Sequence, residues 1–274
     1  MKKNIYNFFT IEELNNKNPV NQIVDCYVSE DVFFKMICAN NDCAVSRRFY
    51  WNNCYEKTSL EIWSKLSKVI HNKIIIDIGA HTGVYSLCAR KSNDNNTVLS
   101  FEPFFMNYAR MSSNFKINNL NPNNLFMYAV GNIVRNNKLK INTNLHYLSS
   151  GGSINQNSEI GLPIQEITLD SFMKNEDKKR VALIKMDVEG YEANVLKGAF
   201  EIIKSSLPII FFECNKENVA EFFNSTLSSK YNFFEINDKT GEIKKIGKIK
   251  QSNNYLTHNR IAVPKNNTEF NNFL

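Results

Sequence analysis

Short apolar runs recur along the chain at strand length, separated by stretches whose apolar residues fall at helical spacing. The best-bounded run is Lys73–Gly83, KIIIDIGAHTG. Ile74–Ile76 reads as a buried strand and Asp77 stands where it ends. Gly79 and Gly83 permit a tight turn, and Val84–Ala89 opens a helix. Thr97–Phe101 predicts a second strand, ending in Glu102-Pro103. Asn107–Asn118 predicts a helix with Tyr108, Met111 and Phe115 on one stripe, and Leu125–Val130 a third strand. Asn132–Ile167 breaks the rhythm. It reads as an inserted strand pair, Lys138–Ile141 and Ile164–Ile167, around a flexible loop with the polar turn Ser149–Ser153. The alternation resumes with strand Val181–Asp187, helix Tyr191–Lys204, strand Pro208–Glu213 and helix Asn218–Leu227. Strands Tyr231–Ile236, Glu242–Ile246 and Arg260–Val263 close it. Strand and helix in turn imply an α/β fold with a doubly wound, mostly parallel sheet.

Upstream of the first sheet strand, Thr58–Ile70 has the spacing of an amphipathic helix, with Leu60, Ile62, Trp63 and Leu66 among its apolar positions. Asn21–Val28 and Val32–Cys38 are short candidate strands. Arg47–Trp51 is a basic-aromatic cluster that reads as a lid or edge strand with ordinary packing, or else as a contact for an anionic or sugar-like substrate. The domain division expected is an extension over 1–54 that contacts substrate or forms a lid, a catalytic domain over 55–264 and a loose tail over 265–274.

Composition changes this picture little. At 274 residues, 43% hydrophobic and 22% charged, the chain has enough apolar material for a real core and is not globally disordered. The net charge of +6 comes from dispersed lysines, which fits a solvated surface better than a nucleic-acid track. No run reaches the ~18 apolar residues of a membrane span, and the N-terminus has no signal-like apolar core, so a cytoplasmic protein is expected. The six cysteines contain no CxxC pair and read as reduced and buried. A zinc site from Cys38, Cys43 and Cys54 lacks a second ligand pair.

The chemistry begins at the glycine turn. A dinucleotide fingerprint counted from Gly79 would need glycine at the positions of His81 and Val84, and a phosphate-binding loop would need Gly-Lys-Ser/Thr. What remains is D-x-G-x-x-x-G followed by Glu102 at the end of the next strand, where a carboxylate accepts ribose hydroxyls. A single nucleoside with a charged sulfonium tail fits, with Asp77 facing the tail. Further on, Lys185 sits inside an apolar run where an unpaired charge is costly, and Asp187, on the same face, is its natural partner. Asp187, Glu189 and Glu192 gather where strand gives way to helix, and Glu213 and Asn215 end the next strand. Asp187 with Glu213 and Asn215 suits a divalent cation. Asp187 tuned by Lys185 equally suits a general base, with Glu213 and Glu189 beside it. Glu192 reads equally as a helix N-terminal acid. His71, His146 and His258 are isolated, and His81 supports the turn.

These segments together resemble the FkbM family of S-adenosylmethionine-dependent methyltransferases. The likeness runs through IIIDIGAHTGVYSLCA, FEPFFMNYARMSSNFKINN, YAVGN, ITLDSF, LIKMDVEGYEANVLKGA and FFECN, over about residues 55–264. The pairing of DIGAHTG with KMDVEGYE is its most specific part. His81 departs from the asparagine common in the family, and Tyr55-Glu56 is similar to the acidic position before the family's first strand. The resemblance implies a Rossmann-like class I methyltransferase sheet of seven strands with the last antiparallel. It implies S-adenosylmethionine at Asp77, Gly79, Ala80, His81 and Gly83, with Glu102 on the ribose and Pro103, Phe104, Ala129 and Val130 beside the adenine. It further implies O-methylation of a hydroxyl on a sugar, glycan or related small molecule. The likeness of the strand ends at Asp187, Glu213 and Asn215 to those that bind magnesium in catechol O-methyltransferase implies magnesium as the cation. The alternatives are a nucleic-acid methyltransferase, for which only Arg47–Trp51 speaks, and a non-catalytic binder, which would have no use for Lys185, Asp187 and Glu213 together.

Overall fold

The computed structural model describes residues 6–140, 153–154, 161–252, 254, 256–267 and 270. The chain opens with α1 (Ile11–Asn15), the hairpin β1 (Gln22–Tyr27) and β2 (Phe33–Cys38), α2 (Ala44–Asn52) and α3 (Lys57–Val69). Then follow β3 (Ile74–Ile78), α4 (Val84–Ser92), β4 (Thr97–Phe101), α5 (Phe105–Ile117), β5 (Leu125–Phe126) and β6 (Ala129–Val130). The middle of the chain gives β7 (Arg135–Lys140), β8 (Ser153–Ile154), β9 (Leu162–Ile167), α6 (Leu169–Phe172), α7 (Asn175–Lys178) and β10 (Val181–Met186). The last part supplies α8 (Glu192–Lys197), α9 (Phe200–Ser206), β11 (Ile209–Glu213), α10 (Glu217–Leu227), β12 (Tyr231–Ile236), β13 (Ile243–Ile246) and β14 (Asn259–Pro264).

The main sheet has the order β13-β12-β14-β11-β10-β3-β4-β5. Pairing is parallel from β11 through β5, and β14 lies antiparallel between β11 and β12. Seven of these strands make the expected Rossmann-like sheet with its last strand reversed. The eighth, β13, adds a hairpin at the edge. Every residue of β3 is buried, because helices cover both faces, which is why its sequence is continuously apolar rather than alternating. Ile75 packs with α3, α4 and α5 residues such as Trp63, Leu87 and Met111 on one face. Ile74 and Ile76 pack with Leu196, Ile202 and Phe223 of α8, α9 and α10 on the other. Each such isoleucine contributes ~2 kcal/mol by leaving water.

Several boundaries differ from the sequence expectation. Leu125–Val130 is not one strand. β5 pairs with β4, the chain turns out at Met127, and β6 joins β9 in a second sheet of order β6-β9-β7-β8. The helix expected over Tyr191–Lys204 is broken into α8 and α9 at Gly198, whose Cα lies so close to the Gly131 carbonyl that a Cβ would stand 1.8 Å from that oxygen. Arg47–Trp51 belongs to a helix, α2, not an edge strand, and Arg47 is buried with its guanidinium donating to Asn15. The hairpin β1–β2 packs into the same core as α4 and α5. Asn114 and Asn118 of α5 accept the Ile37 and Lys35 backbone N–H groups. Phe270, within the segment read as a loose tail, is fully buried against Phe234. His146 and positions 149–152 of the Ser149–Ser153 turn lie outside the described residues. All six cysteines are free and buried. Among the described residues no helix is long and apolar enough to cross a membrane.

Candidate active site

The carboxyl ends of β3, β4, β10 and β11 open onto one cavity of about 380 Å³. The glycine turn forms its floor. Gly79 takes φ +74°, and a Cβ there would stand 1.8 Å from the Asp187 carbonyl oxygen, so only glycine lets the β3 turn lie against the end of β10. The Gly79 and Ala80 N–H groups both donate to the Phe101 carbonyl, which ties the turn to β4. Glu102, leaving β4, accepts the His81 N–H at 2.8 Å on Oε2 and the Phe104 N–H at 2.9 Å on Oε1. Its carboxylate is thus fixed in orientation while lone pairs remain toward the cavity. Burial pushes its pKa up to about 7, against the pull of those two N–H donors. Asp77 accepts the Ser86 hydroxyl at 2.5 Å, and burial pushes it up to about 6.

The opposite end is built by residues distant in sequence. Lys185 is aligned with Asp77 across β10 and β3 and is 1% exposed. Its ammonium lies 5.0 Å from the Tyr85 ring centroid and 3.8 Å from Asp187 Oδ2, and makes no hydrogen bond. Burial works against its charge. The carboxylates of Asp187, Glu213, Glu56 and Asp77 overcome that and raise its pKa. Glu213 ends β11 next to Lys185, and burial together with Asp187 raises its pKa well above the ordinary range. Glu189, at φ +52°, is pushed up to about 7 by burial and by Asp187. Six carboxylates line this cavity, Glu56, Asp77, Glu102, Asp187, Glu189 and Glu213, with Lys185 the one lysine among them.

The sequence-predicted residues divide clearly. Asp77, Gly79, Ala80, His81, Glu102, Pro103, Phe104, Ala129 and Val130 all line the cavity, as do Lys185, Asp187, Glu189 and Glu213. Gly83 does not. Its φ of +90° starts α4, and a Cβ would stand 2.9 Å from Met111 Cγ. Asn215 does not line it either, and its Oδ1 is buried without a hydrogen-bond partner. Glu192 turns away to accept the Val188 and Gly190 N–H groups. Sequence reasoning missed Tyr85, Asn107, Tyr128 and above all His258, and gave Glu56 no place in the site. Glu56 sits at φ +39° as the residue capping α3, and His258 Nε2 lies 3.3 Å from Glu213 and 3.9 Å from Glu56. No local pattern marks His258, since it reaches the cavity from a loop preceding β14.

The sequence model of the methyltransferase FkbM domain matches residues 77–256, more than half of the chain. Among solved structures, the FkbM methyltransferase of Methylobacillus flagellatus is similar at 15% identity and a TM-score of 0.45, over 73% of this chain and 47% of that one. The chain therefore spans about half the length of that protein. An S-adenosylmethionine-dependent methyltransferase of Agrobacterium tumefaciens aligns at 10% identity and TM-score 0.46, over 91% and 72% of the two chains. An O-methyltransferase of Thermotoga maritima aligns at 10% identity and TM-score 0.40, over 77% and 66%. No curated protein matches the chain.

Proposed function

The chain belongs to the FkbM methyltransferase family, and from that premise we propose that it methylates a hydroxyl group of a sugar, glycan or related small molecule. The observation that carries this reading is the Lys185–Asp187 pair, 3.8 Å apart with Lys185 buried and Asp187 half-buried, facing the same cavity as the fixed Glu102 carboxylate. S-adenosylmethionine, when bound, supplies a methyl group made electrophilic by its sulfonium sulfur. The residues of this chain fit it. Glu102 presents a carboxylate to vicinal hydroxyls, Asp77 places negative charge at the cationic tail, and Phe104, Ala129 and Val130 offer an apolar wall. Asp187 then accepts the proton that the acceptor oxygen loses as the new carbon–oxygen bond forms. The Lys185 ammonium stands beside that carboxylate, 3.8 Å away. Ala44 and Val45 of α2 also line the cavity, which supports a share for the N-terminal segment in contacting the acceptor.

The charge of the cavity speaks against a nucleic-acid acceptor. Six carboxylates would repel a phosphate backbone, and a basic path to the opening would be needed. The test is transfer of labelled methyl groups to fractionated glycans, small metabolites and RNA. Label in a hydroxylated small-molecule or glycan fraction is expected. Label confined to RNA overturns the acceptor class.

A further inference from the structure

Among the described residues, Glu56, Glu213 and His258 each offer a ligand atom, and these atoms lie within 4.8 Å of one another. We propose that they form a binding site for a first-row divalent cation at the acceptor end of the cavity. Three independent features point to an ion. The first is missing partners. Glu213 is 7% exposed and lines the cavity beside Lys185, and His258 Nε2, 3.3 Å from it, is buried and makes no hydrogen bond. A protonated imidazole donating to Glu213 would have satisfied both.

The second feature is orientation. Glu56 Oε2 is pinned by the Tyr85 hydroxyl at 2.5 Å and by Asn259 Nδ2 at 3.0 Å, so Oε1 is left turned toward His258. Outer hydrogen bonds that hold one oxygen and present the other are how metal-ligating carboxylates are oriented. The third is charge. Six carboxyl groups line the cavity with one lysine, and a cation beside Glu56 and Glu213 would offset the repulsion between their carboxylates. Metal bonds of about 2.0–2.2 Å would place ligand atoms roughly 2.8–3.6 Å apart, from octahedral to tetrahedral angles. The His258–Glu213 spacing of 3.3 Å already suits this, and Glu56, 3.9 Å from His258, would have to move inward. An imidazole beside two carboxylates favours manganese, iron or zinc over calcium and magnesium. Resting on the methyltransferase reading above, the ion would hold the acceptor oxygen and ease loss of its proton.

The test uses the full chain stripped with chelator. Mn²⁺ is titrated by electron paramagnetic resonance and Zn²⁺ by calorimetry, with S-adenosylmethionine titrated in parallel. One ion per chain is expected, weakened at least about tenfold in Glu213→Gln and in His258→Ala. Asp31→Asn, at an exposed ion pair with Lys68, should leave ion binding unchanged. Retained S-adenosylmethionine binding shows that each variant is folded. No stoichiometric binding at millimolar ion, or binding indifferent to His258→Ala, overturns the site. Ion binding without S-adenosylmethionine binding would leave the site standing and overturn the cavity's reading instead.

Discussion

The two ends of the cavity are built on opposite principles. At the glycine-turn end, Asp77 through Glu102 come from one continuous β–turn–helix–β segment, and its carboxylates and turn amides are answered. Glu102 takes two backbone N–H groups, Asp77 takes Ser86, and the turn is tied to Phe101. At the other end, Glu56, Lys185, Asp187, Glu213 and His258 come from four separate stretches, and Lys185 Nζ and His258 Nε2 are buried with no hydrogen bond. An end that only binds gains from being preorganised and satisfied. An end that reacts keeps unanswered charge, which a ligand or a developing charge completes.

That contrast can be broken at its hinge. Gly79→Ala should remove both ends together, because the new Cβ would collide with the Asp187 carbonyl at 1.8 Å and the backbone sits at φ +74°. A loss of stability above about 3 kcal/mol is expected, read from the urea midpoint. An unchanged midpoint would mean that the two strand ends are not locked through this contact. Next in size, Asp187→Asn should separate the ends. Methyl transfer should fall about 100-fold or more, while calorimetry finds cofactor affinity within about twofold. Full activity would remove Asp187 from proton transfer.

Glu102→Ala should do the converse, weakening S-adenosylmethionine by about 10–100-fold through loss of hydrogen bonds to a charged group, while the rate at saturating cofactor is spared. Unchanged affinity would remove the ribose assignment. The smallest effect is the pH dependence of that same contact. Glu102 is protonated below about 7, and the protonated acid is the poorer acceptor for two hydroxyl donors. Cofactor affinity should therefore fall as pH drops from 8 to 6, by up to about tenfold per unit below 7, and the dependence should vanish in Glu102→Gln. A flat profile in the unaltered chain would show that Glu102 stays ionised throughout.

Much of the fold was legible because the signals are local. Ile74–Ile76, Asp77 and the two glycines specify strand, turn and helix within eleven residues, and β3 and α4 follow that reading. Misreadings arose where a distant backbone decides. Leu125–Val130 looks like one strand because its side chains suit one, but Phe126 and Ala129 find different partner strands. Tyr191–Lys204 looks like one helix because Gly198 costs a helix little. Only the approach of the Gly131 carbonyl shows why glycine stands there and where the helices divide.

The sequence by itself thus determined the sheet, the glycine turn and the family, since periodicity and short-range spacing encode backbone conformation directly. It also placed Lys185 and Asp187 together, because neighbours two apart on a strand share a face. Only the tertiary structure decided that Glu56 and His258, 202 positions apart in the chain (258 − 56), meet Glu213 at the far end of that cavity. The reason is physical. Their meeting depends on the helix cap of α3 and the loop before β14 packing against the same strand ends, and no spacing within the sequence records that closure.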